Sequence, residues 1–110
     1  RNNTVAYGGT VWTVANAMSL EADFDGQVAE TFAHLDSFLQ QAGSSREQLL
    51  SVQVILADIR TRDRFNVLWC KWVGDNQAHW PQRAVFGAAL ASGLLLEVTA
   101  VAARPYHGAA

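Results

Sequence analysis

Apolar and polar positions alternate along this chain with two different periods, and their succession divides it into seven elements. Residues 4–14 (TVAYGGTVWTV) are rich in β-branched and aromatic side chains and are interrupted by Gly8-Gly9. That pattern predicts a strand with a bulge or close backbone approach at the glycines, or a hairpin. A polar loop follows over 16–22. The period then lengthens. Val28, Phe32, Leu35, Leu39 and Ala42 form one apolar stripe, which predicts a helix over 23–42. Asp23 and Asp25 suit the positive end of its dipole, and Gly43 is a natural stop. Ser45 followed by Gln48 reads as a capping box for a short helical turn.

Leu50, Val52, Val54 and Leu56 alternate with Ser51, Gln53 and Ile55, so 50–57 is expected to be a strand with one strongly apolar face. A second amphipathic helix is expected over 62–73, with Phe65, Leu68, Trp69, Trp72 and Val73 on one side and Gly74-Asp75-Asn76 closing it. Strands are expected over 83–89 and 94–103, and a frayed tail over 104–110. The order β, β, α, β, α, β, β alternates too tightly for an all-β sandwich. It predicts an α+β fold, a mixed sheet with two helices packed on one face. In the last strand Leu94, Leu96, Val98, Ala100 and Ala102 point one way, and Leu95, Thr99 and Val101 the other. A strand apolar on both sides is covered on both sides. Two helices cover one face only, so another subunit is expected on the other, in a closed symmetric homo-oligomer.

Composition narrows the classes of function. The 110 residues are enough for one domain with a real core and too few for two, so 1–110 is read as a single domain. The formal net charge is −2 with no basic stripe, which argues against nucleic acid as a partner. One cysteine excludes an intrachain disulfide and a cysteine-based zinc site, and it fits a reducing compartment. No apolar run approaches the ~20 residues that span a bilayer. A cytoplasmic protein without membrane contact is expected. The chain opens on RNNT rather than a methionine, so a segment upstream is an open question.

Two charges stand out from this pattern. Arg83 follows Pro81 at the start of one apolar strand, and Glu97 lies inside another (LLLEVTAVA). Either one costs several kcal/mol to bury unless it is paired or solvated. Pro81 stiffens the approach to Arg83, and a guanidinium presents a planar fork of donors matched to a carboxylate. If the last two strands pair as neighbours, Arg83 and Glu97 reach one sheet edge or one subunit boundary. From the residues alone the pair has two readings. It is a structural salt bridge, or Arg83 holds a substrate carboxylate while Glu97 orients water or exchanges a proton.

The succession Tyr7-Gly8-Gly9, Gln41-Ala42-Gly43, Ala57-Asp58, Phe65-Asn66, Trp80-Pro81-Gln82-Arg83 and Leu96-Glu97-Val98-Thr99-Ala100 resembles the Rid family (reactive intermediate deaminases, RidA or YjgF-like) from Asn3 to Arg104. The resemblance implies a chorismate-mutase-like α+β fold and a homotrimer with sites between subunits. It implies hydrolysis of enamines and imines such as 2-aminoacrylate to 2-keto acids and ammonia, with no cofactor and no metal. Arg83 then matches the residue that grips the substrate carboxylate, Glu97 the one that handles water or protons, Asn66 a pocket asparagine, and Gly9 a glycine whose backbone lines the cleft. Gly8 and Val85 stand in that lining where the best-characterised branch carries serine and cysteine. The connection between Arg83 and Glu97 is shorter than in that branch. A non-catalytic, carboxylate-binding or regulatory protein on the same scaffold is the alternative. A ribonuclease or translation inhibitor, an activity ascribed to some members, is disfavoured by the acidic balance.

Other residues have plainer readings. Cys70 lacks an evident histidine partner and reads as a packing residue. His34, His79 and His107 show no metal-ligand spacing; His34 is expected on the outer face of the first helix and His79 near the cleft rim. Trp69 and Trp72 read as core, whereas Trp12, Trp80 and Tyr7 are candidates for a pocket wall or a subunit contact. The glycine pair lacks the pattern of a phosphate loop.

Overall fold

The computed structural model describes residues 2–108. Five strands and two helices run in the order β1 (Thr4–Tyr7), β2 (Thr10–Asn16), α1 (Phe24–Gln41), β3 (Leu49–Leu56), α2 (Arg62–Val73), β4 (Gln82–Gly87) and β5 (Leu96–Ala103), with single 3-10 turns before β3, α2 and β4. The α+β reading holds: one mixed sheet carries both helices on one face. The strand order is β1-β2-β5-β3-β4, with β3 and β4 parallel and the other pairs antiparallel.

The glycine pair makes the turn of a hairpin. Tyr7 pairs with Thr10, and Gly8 takes φ +57°, the left-handed conformation that a two-residue hairpin loop needs at its first position. α1 starts where Asp23 accepts a hydrogen bond from the Gly26 amide at 2.8 Å. It ends in a Schellman motif, with Ser44 N–H donating to Leu39 and Gly43 N–H to Gln40, and Gly43 at φ +82°. Ser45 and Gln48 meet side chain to side chain at 3.1 Å, so the expected capping box is not formed.

Val28, Phe32, Leu35 and Leu39 of α1 and Phe65, Trp69 and Val73 of α2 pack onto Val11, Ala15, Val52, Val54, Leu56, Leu96, Val98, Ala100 and Ala102 of the sheet. One expected position is exchanged. A bulge between Leu49 and Ser51 flips the strand's parity there, so Leu49 is buried and Leu50 exposed. At the far ends of the helices, Asp36 accepts from Arg46 Nη2 at 2.9 Å and Trp72 Nε1 at 3.1 Å, tying α1 to α2. Gln27 is fully buried and serves as a clamp. Its Nε2 donates to the Gly93 carbonyl at 2.9 Å, and its Oε1 accepts from the Leu95 amide at 2.9 Å. Arg104 is likewise anchored rather than frayed. Its Nε donates to the Gly8 carbonyl at 2.8 Å and its backbone amide to Gly9 at 3.0 Å.

The second face of the sheet is bare of helices. Val5, Trp12 and Val101 are consecutive cross-strand partners and form an apolar row there, with Val5 52% and Trp12 45% exposed. Beside this row lies a groove of about 390 Å3 lined by Trp12, Val14, Gln53, Thr99 and Val101 among others.

Candidate functional site

The register decides where the two anomalous charges lie. β4 and β5 are not neighbours, contrary to the condition on which Arg83 and Glu97 were expected to meet, because β3 lies between them. The β3–α2–β4 segment is a parallel crossover, which sets β4 beside β3, while β5 inserts antiparallel between β2 and β3. Arg83 pairs with Val52, which faces the helices, and its guanidinium lies 5.3 Å from the Trp69 ring and 5.7 Å from Phe65. Glu97 alternates with the buried Leu96 and Val98 and so faces the open side. Within one chain the two charges point to opposite faces and form no salt bridge.

Around Arg83 the fold builds a pocket of about 350 Å3, lined by Asn66, Trp69, Cys70, Trp80, Pro81 and Arg83 itself. Pro81 leads into β4 and sets the root of the arginine. Asn66 and Cys70 stand one turn apart on α2 and so share its face. Trp80 is pinned by its Nε1, which donates to the Gly74 carbonyl at 2.9 Å. Arg83 Nη2 donates to Asn66 Oδ1 at 2.7 Å. Its Nη1 is buried and has no partner among the described residues. Desolvation lowers the pKa of Arg83 from the ordinary arginine value; the nearby Cys70 opposes the shift and Arg62 adds to it. The group nevertheless stays charged. A cation with aromatic walls, one neutral partner and a free buried donor is chemically suited to an anion, above all a carboxylate.

Glu97 occupies a different setting. Its cross-strand partners are Asn16 on β2 and Ile55 on β3. Asn16 Nδ2 donates to Glu97 Oε1 at 3.1 Å. Asn16 is itself held, because His34 Nδ1 lies 2.8 Å from its backbone oxygen. A carbonyl only accepts, so Nδ1 carries the hydrogen. The other ring nitrogen of His34 is 3.8 Å from Glu30, whose carboxylate accepts from the Met18 and Ser19 amides.

Several expectations change. Gly8 and Gly9 sit at the turn beside edge strand β1, whereas Arg83 is on β4 at the opposite edge, and the turn lies at the far end of β2 from Asn16 and Glu97. Their carbonyls are occupied by Arg104. The structure gives the glycines a turn role and brings them together with neither charge. Val85 shares the inner face of β4 with Arg83, but its side chain packs against the core and does not line the pocket. Cys70, expected to pack, is exposed at the pocket. His34 is half-buried rather than outward. Trp80 walls the Arg83 pocket and Trp12 the groove on the open face, whereas His79 and Tyr7 line neither. Asn16 was not singled out from the sequence; the one signal for it, its place opposite Glu97, exists only once β2 pairs with β5. No group of three or more His, Cys, Asp or Glu able to hold a metal ion occurs among the described residues, and none of their helices is long and apolar enough to cross a membrane.

Fold and site together define a two-layer α+β protein with an unpaired cation under one face of its sheet and an amide-held carboxylate on the other. A family model described as Endoribonuclease L-PSP matches residues 1–104, and the chain belongs to that family, the YjgF/RidA group. The RutC family protein YoaB of Escherichia coli (strain K12) is 33% identical over 89 residues, covering 81% of this chain and 71% of the relative. An uncharacterized protein from Pseudomonas aeruginosa superposes with a TM-score of 0.88 at 30% identity, covering 96% of this chain and 91% of its own. NMB1025 of Neisseria meningitidis, a member of the YjgF protein family, shares the fold at TM-score 0.87 and 22% identity, covering 97% and 89%.

Proposed function

We propose that this protein hydrolyses enamines and imines of the 2-aminoacrylate type to 2-keto acids and ammonia. The observation that carries the reading is the buried, unpartnered Nη1 of Arg83 in a pocket open to a small ligand. A substrate carboxylate there completes the donor set that Asn66 leaves half-used. A proton taken up at C3 converts the bound 2-aminoacrylate into the 2-iminio acid, whose C2 is electrophilic. Water adds its oxygen to that carbon and loses a proton, the resulting carbinolamine expels ammonia, and the C–N bond is replaced by C=O. No activated protein nucleophile is needed; holding the carboxylate and orienting one water supply the catalysis.

Glu97 is the group proposed to orient that water and carry the proton. Because it faces away from Arg83 in its own chain, the reading places it in a site formed with the Arg83 pocket of a second copy. The exposed Val5–Trp12–Val101 row supports association through the open face, in a homotrimer as the family resemblance implies. Gly8, Gly9 and Val85 stay in the proposed lining of that inter-subunit site on the strength of the family resemblance alone, since within one chain none of them lies against the Arg83 pocket or Glu97.

The test is the lifetime of 2-aminoacrylate released by a serine dehydratase. Purified protein at micromolar concentration is expected to accelerate pyruvate and ammonia formation, and Arg83→Ala to abolish the effect while the oligomer persists. Unchanged decay with the wild-type protein overturns the reading. The separation of the two charges favours a second one, a carboxylate-binding regulatory protein without turnover. It predicts thermal stabilisation by 2-oxobutanoate that depends on Arg83, with no acceleration of decay.

A further inference from the structure

The carboxylate proposed to handle water is not free to choose its orientation. Asn16 and Glu97 are directly opposed on neighbouring strands, and the amide of Asn16 donates to one carboxylate oxygen, Oε1, at 3.1 Å. The Asn16 backbone is fixed in turn by two independent ties. β2 pairs with β5 as far as this residue, and the Nδ1 hydrogen of His34, one helical layer away, is directed at its carbonyl at 2.8 Å. His34 sits on α1, which is packed on the sheet, so its grip on the end of β2 is as rigid as the helix. Beyond Asn16 the chain is secured again, because Glu30 accepts the Met18 amide at 2.7 Å and the Ser19 amide at 3.2 Å. The strand end that carries Asn16 is therefore clamped on both sides, although it lies next to a loop.

We infer that Asn16 is a positioning residue for Glu97: by occupying Oε1 it leaves Oε2 as the oxygen that meets water, in one orientation. The inference rests on the deaminase reading for the role of Glu97, but the geometry it asserts is independent of turnover. A lone glutamate on a strand has three side-chain torsions to fix, and reaction from a poorly oriented carboxylate is slow even when the substrate is well bound. Asn16 donates to Glu97, whereas the partner of Arg83 is Asn66. Loss of Asn16 should therefore separate orientation from carboxylate binding.

The experiment compares wild type with Asn16→Leu, close in shape but without the donor, and with Asn16→Ala should the leucine variant not assemble. Three quantities are read: turnover of 2-aminoacrylate, the Kd for 2-oxobutanoate by calorimetry, and the Glu97 position in a crystal structure of the variant. The expected result is turnover lower by about ten- to a hundredfold, a Kd within about twofold of wild type, and a Glu97 carboxylate displaced from its wild-type place. Turnover unchanged in an active protein, or a Glu97 carboxylate that keeps its position without the amide, overturns the inference. A Kd that weakens in step with turnover also overturns it, because Asn16 would then serve binding or folding. If wild type itself shows no turnover, the deaminase reading fails, and the crystallographic arm alone decides whether Asn16 holds Glu97.

Discussion

The desolvation of Arg83 is offset within its own chain by little more than one hydrogen bond to Asn66 and the aromatic rings beside it. Its guanidinium is half withdrawn from water, one nitrogen lacks a partner, and no carboxylate pairs with it among the described residues. Replacing such a cation by an apolar side chain of similar length is often neutral or stabilising. Arg83→Met is therefore expected to keep or raise Tm while losing all stabilisation by 2-oxobutanoate; a fall of several degrees would assign the arginine a structural role instead. Arg83→Lys should also lose most of that stabilisation, because an ammonium lacks the planar fork that grips a carboxylate through two parallel hydrogen bonds. Glu30 allows a test in pH. The Met18 amide, with help from Ser19 and opposed by desolvation, lowers its pKa from the ordinary glutamate value. A lowered native pKa adds stability above the ordinary glutamate range, and that contribution disappears as pH falls through the native value. The Tm difference between wild type and Glu30→Gln should be full at neutral pH and vanish in acid. Arg83 and Glu97 were legible in the sequence because charges in apolar strands are anomalous. Asn16 was not, since an asparagine at a strand end reads as the start of a loop until its cross-strand partner is known. Cys70 carried a signal that was passed over: it lies four residues after Asn66 and so shares its face of α2.

Both helices could be read directly, because their stripes follow the helical period and their ends carry Asp23 and Gly43. The order of the strands could not. Period-two alternation tells which residues of one strand share a face, and for Thr99 and Val101 it did so correctly. It does not tell which strands are neighbours or which face the helices take. Chain proximity favours pairing β4 with β5, and the parallel β3–α2–β4 crossover overrides it. The bulge at Leu50 was hidden for a related reason, since it breaks a parity that the apolar residues themselves continue. At the hairpin the sequence left a bulge and a turn open, and the positive φ of Gly8 identifies the turn. The space beside Gly8 admits a Cβ, with the Tyr106 ring no closer than 3.8 Å, so strain rather than collision governs substitution. Gly8→Ala is expected to cost about 1 kcal/mol in urea unfolding, and Gly8→Asn less; equal stability of the alanine variant would refute the turn assignment.

For the whole molecule, the question is what covers the open face. β5 is the central strand. Its inner residues are buried by α1 and α2, and its outer ones stand beside the exposed Val5 and Trp12. A homotrimer closing over this face predicts a sedimentation mass three times the 12.0 kDa chain. Trp12→Glu, which places a charge in the middle of the apolar row, should shift that mass towards the monomer and remove any activity that needs two copies. A monomeric wild-type protein would leave Arg83 and Glu97 without a common site. One clamp also bears on how such a chain tolerates length change. Gln27 grips Gly93 and Leu95, immediately ahead of β5, and so resets the register of Glu97 from the helix layer whatever the chain does before it. The register of β5 is thereby uncoupled from the length of the chain that precedes Gly93. A glycine inserted after Ala89 should be absorbed with little change in Tm, because loop closure depends weakly on length. The same insertion after Leu95 should turn every side chain of β5 to the wrong face.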